Sequence, residues 1–437
     1  MNSAIDIITL GCSKNLVDTE RLMARLEAVG YHAMHDPEHS QAPIAIINTC
    51  GFIGDAKEES INTILRFAAR KSEGELQQLY VMGCLSQRYR DELKAEIPEV
   101  DGWFGKFDYN EIVALLTQQQ STIDCTGYKR KLTTPKHYTY LKISEGCNRM
   151  CSYCAIPLIT GRHTSRAQEE ILKEAEWLVS QGVKEINVIA QDLSSYGLDI
   201  DGRHHLPDLI DRMADIPGIK WIRLHYLYPT DFPEEILDVM NRHSNVCKYL
   251  DIALQHCTDH MLGLMRRHIS QSEQDALIHH IRERVPGICL RTTLMVGHPG
   301  ETEEDFQALC EWVRRMRFDR MGAFAYSDEE GTYANRHYED DIPADIKQQR
   351  LDELMAIQQE ISAQELASLI DKPLRVIIDR MEEGYYIGRS EYDSPEVDCE
   401  ILIARTDCTT PLQIGEFYTV KVIRAEDFDL YAQPIEN

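Results

Sequence analysis

Short apolar or β-branched runs alternate with helical periodicity along most of this chain. Near the amino end, Ile5 to Leu10, Ile44 to Thr49 and Leu79 to Gly83 each stop at or just before a cysteine and give way to a helical pattern. The first helix, from about Val17, places Leu22, Leu26 and Val29 on one face and closes at Gly30. The second, from about Asp55, does the same with Ile61, Ile64, Leu65 and Ala68. Strand–helix alternation of this kind predicts an α/β fold whose first domain, 1–125, holds a parallel sheet with right-handed crossovers. From 130 to 370 the pattern recurs, with runs at Tyr138 to Ser144, Glu185 to Ala190, Trp221 to His225, Tyr249 to Gln255, Leu290 to Gly297 and Met321 to Tyr326. Six βα-type units are fewer than a closed eight-stranded barrel needs, so an open, partial barrel is expected. Pro343 to Ile370 reads as a long helix, with Leu351, Leu354, Met355, Ile357, Ile361 and Leu366 arranged to pack on that barrel. Runs beginning at Leu374, Tyr385, Cys399 and Phe417 alternate or stay apolar between turn residues, which predicts a small all-β barrel over 371–437.

Composition adds constraints. Of 437 residues, 43% are hydrophobic and 27% charged, an ordinary globular mix. No apolar run approaches the length of a transmembrane helix, and the first residues read as a strand, not a signal peptide. Thirteen cysteines, an odd count, argue for reduced thiols and metal ligands in the cytoplasm. The net charge of −26 repels nucleic acid unless basic residues are concentrated locally, and attracts basic partners. From Lys372 onward there are seven Lys and Arg against fourteen Asp and Glu, unlike an RNA-binding barrel with a basic face. Glu391, Asp393, Glu396 and Asp398 are therefore the first candidates for contact with a basic protein.

The candidate chemistry lies in the cysteines. Cys147, Cys151 and Cys154 stand at C-x3-C-x2-C in a glycine-containing loop after a β-prone run. Iron–sulfur clusters need thiolates held close together, and short loop spacings provide them. Three ligands leave one iron of a four-iron cluster open, as in enzymes that use S-adenosylmethionine (SAM) as a radical source. Zinc is the competing reading, although it prefers four closed ligands or three and a water. Cys12, Cys50 and Cys84 end three successive strands, where parallel sheets gather their functional groups. Each alone is a small hydrophobe, but their identical placement points to a second cluster. Cys125, Cys247, Cys257, Cys289, Cys310, Cys399 and Cys408 show no paired spacing and are read as ordinary thiols.

Leu-Gly-Cys12-Ser-Lys-Asn-Leu-Val-Asp-Thr-Glu20, Asn48-Thr-Cys50-Gly-Phe-Ile and Cys147-Asn-Arg-Met-Cys151-Ser-Tyr-Cys154-Ala-Ile-Pro resemble the radical-SAM methylthiotransferase family. The resemblance covers essentially the whole chain and is nearest to the branch acting on a ribosomal protein. It implies two [4Fe-4S] clusters, an auxiliary one on Cys12, Cys50 and Cys84 and the radical-SAM one on Cys147, Cys151 and Cys154. It also implies SAM as cofactor, with Gln191, Arg223, Gln255 and Arg291 as contacts and the Val296-to-Glu301 turn, including Gly297, shaping the adenosine pocket. Purely structural roles compete: Arg223 paired with a carboxylate, Gln255 holding a turn. The terminal barrel resembles a TRAM domain, with RNA binding expected to be secondary at most. By the same resemblance the radical takes a hydrogen from the β-carbon of an aspartate in protein twelve of the small ribosomal subunit. A methylthio group then couples there. The electron comes from a donor such as flavodoxin or ferredoxin, and no side chain is singled out as a catalytic acid or base. Two other readings stand beside this one: methylthiolation of an adenosine in transfer RNA, and a non-catalytic iron–sulfur or RNA-binding adaptor.

Overall fold

A computed structural model describes residues 4–39, 41–117 and 127–435; Cys125 lies outside them. The amino-terminal sheet has five parallel strands in the spatial order His32–His35, Ala4–Thr9, Ile44–Thr49, Gln78–Gly83 and Gly102–Trp103. The three cysteine-ending strands are its centre, and Ile44–Thr49 is buried along its whole length, as its apolar run requires. The two outer strands went unforeseen because one is polar and the other only two residues long. Helix Ser13–Ala28 starts a turn earlier than periodicity suggests, since its first residues, Ser13, Lys14 and Asn15, are polar, while helix Gly54–Ser72 begins within one residue of the expected Asp55. One apolar cluster, around Ile5, Leu22 and Ile112, covers one face of the sheet; Ile64, Phe67 and Trp103 belong to a second.

The central sheet has six parallel strands in sequence order: Tyr138–Lys142, Glu185–Ile189, Trp221–Leu227, Val246–Gln255, Cys289–Val296 and Arg320–Ala325. The first and last do not pair, so the barrel is open, as six units predict. Helix Ala344–Ala367 buries Leu354, Ile357 and Ile361 in the same core, and Gln358 Nε2 donates to Phe318 O at 2.9 Å.

The terminal strands Pro373–Glu382, Tyr385–Ser390, Ile401–Ala404, Leu430–Pro434 and Phe417–Ala425 close into a barrel. It sits against the amino ends of the central strands, where Trp221, Cys247, Tyr249 and Cys289 meet Ile377, Tyr392 and Phe417. This docking corrects several expectations. Arg223 and Arg291 are each the third residue of their strands and serve the amino end, not the carboxyl end where a cofactor shell was expected. Arg223 Nε donates to Glu185 at 3.0 Å and its Nη1 to Glu391 O at 2.6 Å. Arg291 pairs with Asp251 at 3.3 Å and with Asp398 at 3.4 Å. A strand pattern gives the face a side chain takes but not the end of the barrel it serves. The acidic loop from Glu391 to Asp398 is likewise not a free docking surface. Asp393 pairs with Arg320 at 2.6 Å, while Tyr138 donates to Glu396 at 2.9 Å and Tyr249 to Asp398 at 2.8 Å. These carboxylates fasten the barrel to the central domain.

Candidate functional site

The site forms at the opposite end, where the carboxyl ends of the central strands meet the amino-terminal sheet. Buried charge holds the two together. Arg130 bridges Glu20 and Glu174, Lys142 pairs with Asp18, and Lys57 and Arg88 reach Glu329 at 2.9 and 2.8 Å. Such buried pairs need full hydrogen bonding to offset desolvation, and they fix a single relative placement when they have it.

Cys12, Cys50 and Cys84 follow adjacent strands directly. Cys12 caps helix Ser13–Ala28 and Cys84 opens helix Cys84–Glu96. Gly11 adopts φ +90, and a Cβ there would lie 2.7 Å from Cys50 Cβ and 2.8 Å from its sulfur, so only glycine lets the two loops approach. Asn15 Nδ2 donates to Leu10 O and Thr49 O, both at 3.0 Å. Asn48 Nδ2 returns bonds of 3.0 Å to Asn15 O and Thr19 Oγ1. These two asparagines set the strand ends relative to the helix. Ser60 secures the Cys50 backbone, accepting from its N–H at 3.1 Å and donating to its carbonyl at 2.9 Å.

The three thiols differ electrostatically. Burial raises Cys50 above its ordinary value and pushes Cys84 up to about 12, against the pull of Lys106. At Cys12 desolvation is again the largest influence and acts upward. Lys14, Lys106 and the backbone N–H groups of Asn15 and Lys14 together outweigh it and bring this thiol below its usual value.

The second set lies in the loop after Tyr138–Lys142. Ser152 N donates to Met265 O at 3.0 Å, Ala334 N to Ser152 O at 2.7 Å, and Ser152 Oγ lies 3.0 Å from His298 Nε2. Buried Arg267 donates through Nη1 to Cys151 Sγ at 3.3 Å, and the Arg149 amide donates to Cys147 Sγ at 3.5 Å. Burial pushes the Cys147 thiol up to about 12 and raises Cys154 as well. Cationic and N–H donors aimed at sulfur are what a thiolate set requires. Among the described residues, no three His, Cys, Asp or Glu side chains already enclose one point as they would a bound ion. The donor sets themselves, soft sulfur ligands on fixed loops, fit iron–sulfur clusters.

The two sets adjoin. Cys84 packs with Ala155, the residue after Cys154, and with Ile159. Beside that contact, Lys106 pairs with Glu145 at 3.3 Å, Lys142 with Glu145 at 2.6 Å, and Gln191 Nε2 donates to Glu145. Gln191 Oε1 and Gln255 Oε1 are buried without partners, and Gln255 takes φ +71 at its strand end. Unsatisfied buried carbonyls at this end of the barrel suit the N–H donors of a cofactor. Glu301 accepts from the Gly297 amide at 2.8 Å and pairs with Arg350 at 2.6 Å through Oε2, pinning the turn to helix Ala344–Ala367, while its Oε1 is buried without a hydrogen-bond partner, 3.3 Å from His256 Nε2. Gly297, at φ +71, faces the Lys347 side chain, which leaves no room for a Cβ.

Residues 4–105 match the family model described as uncharacterized protein family UPF0004, 141–313 the radical SAM superfamily, and 370–435 the TRAM domain. A Phocaeicola vulgatus protein named ribosomal protein uS12 methylthiotransferase RimO is 61% identical across 98% of this chain and 99% of its own length. The Cytophaga hutchinsonii protein of the same name is 47% identical over 99% of this chain and 98% of its own. The chain belongs to the RimO family of radical-SAM methylthiotransferases. The family's cofactors are SAM and [4Fe-4S] clusters. Among solved structures, the radical SAM methyltransferase TsrM from Kitasatospora setae superposes with a TM-score of 0.55 at 16% identity, over 74% of this chain and 75% of that one. The cobalamin-dependent SAM radical enzyme OxsB gives 0.53 at 11%, over 82% and 56%. Both show the fold alone. Within this RimO-family site, sequence reasoning singled out neither Lys14 and Glu145, each two residues from a cysteine, nor Lys106, Tyr226 and Arg267, which no spacing links to the cysteines. The strand-to-helix turn beginning Gly11-Cys12 was the one local signal near Lys14.

Proposed function

We propose that this enzyme adds a methylthio group to the β-carbon of an aspartate in protein uS12 of the small ribosomal subunit. Cys147, Cys151 and Cys154 hold the cluster that works with SAM, and Cys12, Cys50 and Cys84 hold the auxiliary cluster. The observation that carries this reading is the packing of Cys84 against Ala155, which makes the two cysteine sets neighbours across one domain boundary. When bound, the clusters and SAM supply an oxidant strong enough to remove hydrogen from carbon, and the sulfur to be inserted. The chain's own residues hold and tune. Arg267 Nη1 and the Arg149 amide point at the sulfurs of Cys151 and Cys147 and fix where those sulfurs sit. Gln191 and Gln255 offer their free carbonyl oxygens to SAM, and Gly297 keeps the neighbouring turn narrow.

The units 1–125, 130–370 and 371–437 divide the work into auxiliary cluster, SAM chemistry and a docked barrel. A donor such as flavodoxin or ferredoxin supplies the electron, and the cytoplasm keeps the thiols reduced. Among the described residues no helix is long and apolar enough to cross a membrane. Relatives at 47 to 62% identity carry the ribosomal-protein name, which sets this reading ahead of transfer RNA as substrate. The test is anaerobic incubation of the reconstituted enzyme with SAM, reductant and uS12. Mass spectrometry should find one methylthio group on an aspartate; modification of transfer RNA alone would overturn the proposal.

A further inference from the structure

Lys14 is the second residue of helix Ser13–Ala28, two positions after Cys12, and only 9% of it is exposed. Its Nζ stands 3.4 Å from the centre of the Tyr226 ring. Among the described residues, no carboxylate lies within the 4.0 Å of an ion pair with it. Its neighbours differ. Lys106 and Lys142 share Asp18 and Glu145 between them. In a chain with 72 acidic against 46 basic residues, a nearly buried lysine that faces an aromatic ring and the Cys12 loop but no carboxylate is an exception, and its charge is open to an anionic ligand.

Tyr226 is unusual for an independent reason. It is the next-to-last residue of strand Trp221–Leu227 and takes φ +64, a left-handed conformation that bulky residues seldom adopt and that gathers at functional sites. That conformation presents the ring to a residue of the other domain. A cation over an aromatic face is held in place while its remaining N–H groups stay available. The first turn of the lysine's helix contains no acidic residue, so the positive end of the helix is not neutralised.

We infer that Lys14, supported by Tyr226, receives the side-chain carboxylate of the substrate aspartate; this rests on the functional reading above. The chemistry fits the position. The carbon to be modified is directly bonded to the carboxyl carbon. A cation beside the sulfur-carrying cysteine set would therefore place that carbon next to the sulfur. The same contact selects aspartate over asparagine, because a neutral amide offers no charge to an ammonium.

The experiment uses reconstituted full-length enzyme with uS12 and with uS12 carrying asparagine at the target position. Binding is measured by anisotropy of the labelled protein, and modification by mass spectrometry. Wild type should bind the aspartate form about tenfold or more tightly than the asparagine form. Lys14→Met should bring the ratio to about twofold or less, with iron content and melting temperature unchanged, and Lys14→Arg should restore most of it. A Lys14→Met enzyme that keeps its iron and still prefers aspartate overturns the role of Lys14 alone. A wild-type enzyme that never modifies uS12 overturns the functional reading, and this inference with it.

Discussion

At the scale of single residues, Cys12 and Cys84 belong to one set and both feel burial and Lys106, yet the balance lowers one thiol and raises the other. Cys12 reaches solvent and lies within the field of two lysines and two amides, so its thiol is lowered; Cys84 is buried and pushed up to about 12. A lowered thiol value means more thiolate at any given pH, and the thiolate is the form that reacts. In iron-free protein at about pH 8, iodoacetamide should label Cys12 first and Cys84 last, as read by peptide mass spectrometry. Lowering the pH should extinguish Cys84 labelling before that of Cys12. The two groups of cysteines stand out in the sequence because each member is marked locally, by a spacing or by the end of a strand, and the structure sets the groups side by side at Cys84 and Ala155. Arg223 and Arg291 were misplaced because the strand pattern does not say which end of the barrel a side chain serves. Lys14 and Tyr226 meet only through the packing of one domain on another.

At the scale of elements, most boundaries followed from periodicity. The six central strands, the open sheet and the packing of helix Ala344–Ala367 all appear where the apolar pattern puts them. What the pattern could not give was the partner of each polar loop. The Glu391-to-Asp398 segment reads as a solvated acidic patch, but its carboxylates answer arginines and tyrosines that precede them by many residues. Asp393 is buried against Arg320 and also accepts from Ser390 Oγ at 2.5 Å. Removing one member of such a pair leaves a buried charge alone. Asp393→Ala should therefore destabilise the chain by about 3–5 kcal/mol. Chemical denaturation would measure it, and a change below about 0.5 kcal/mol would show the loop to be an ordinary exposed one.

At the scale of the molecule, charge divides the surface more finely than the net −26 suggests. Arg21, Arg25, Lys129, Arg166 and Lys173 line one cavity of about 570 Å³ together with Glu170, and Arg21 and Arg166 are paired with Glu174, so the positive charge there is partly answered. The acidic balance of the terminal barrel is partly taken up by its own docking, through Asp393 on Arg320 and Asp398 on Arg291. The architecture puts the barrel at one end of the central strands and both cysteine sets at the other. The central claim is that these two sets are separate centres working on one substrate. The most direct test is iron content, release of 5′-deoxyadenosine and modification of uS12 in the Cys12→Ala, Cys50→Ala, Cys84→Ala triple variant. That variant should hold about half the iron of wild type, continue to cleave SAM and yield no methylthiolated uS12. Unchanged iron, or full modification by the variant, would contradict the central claim.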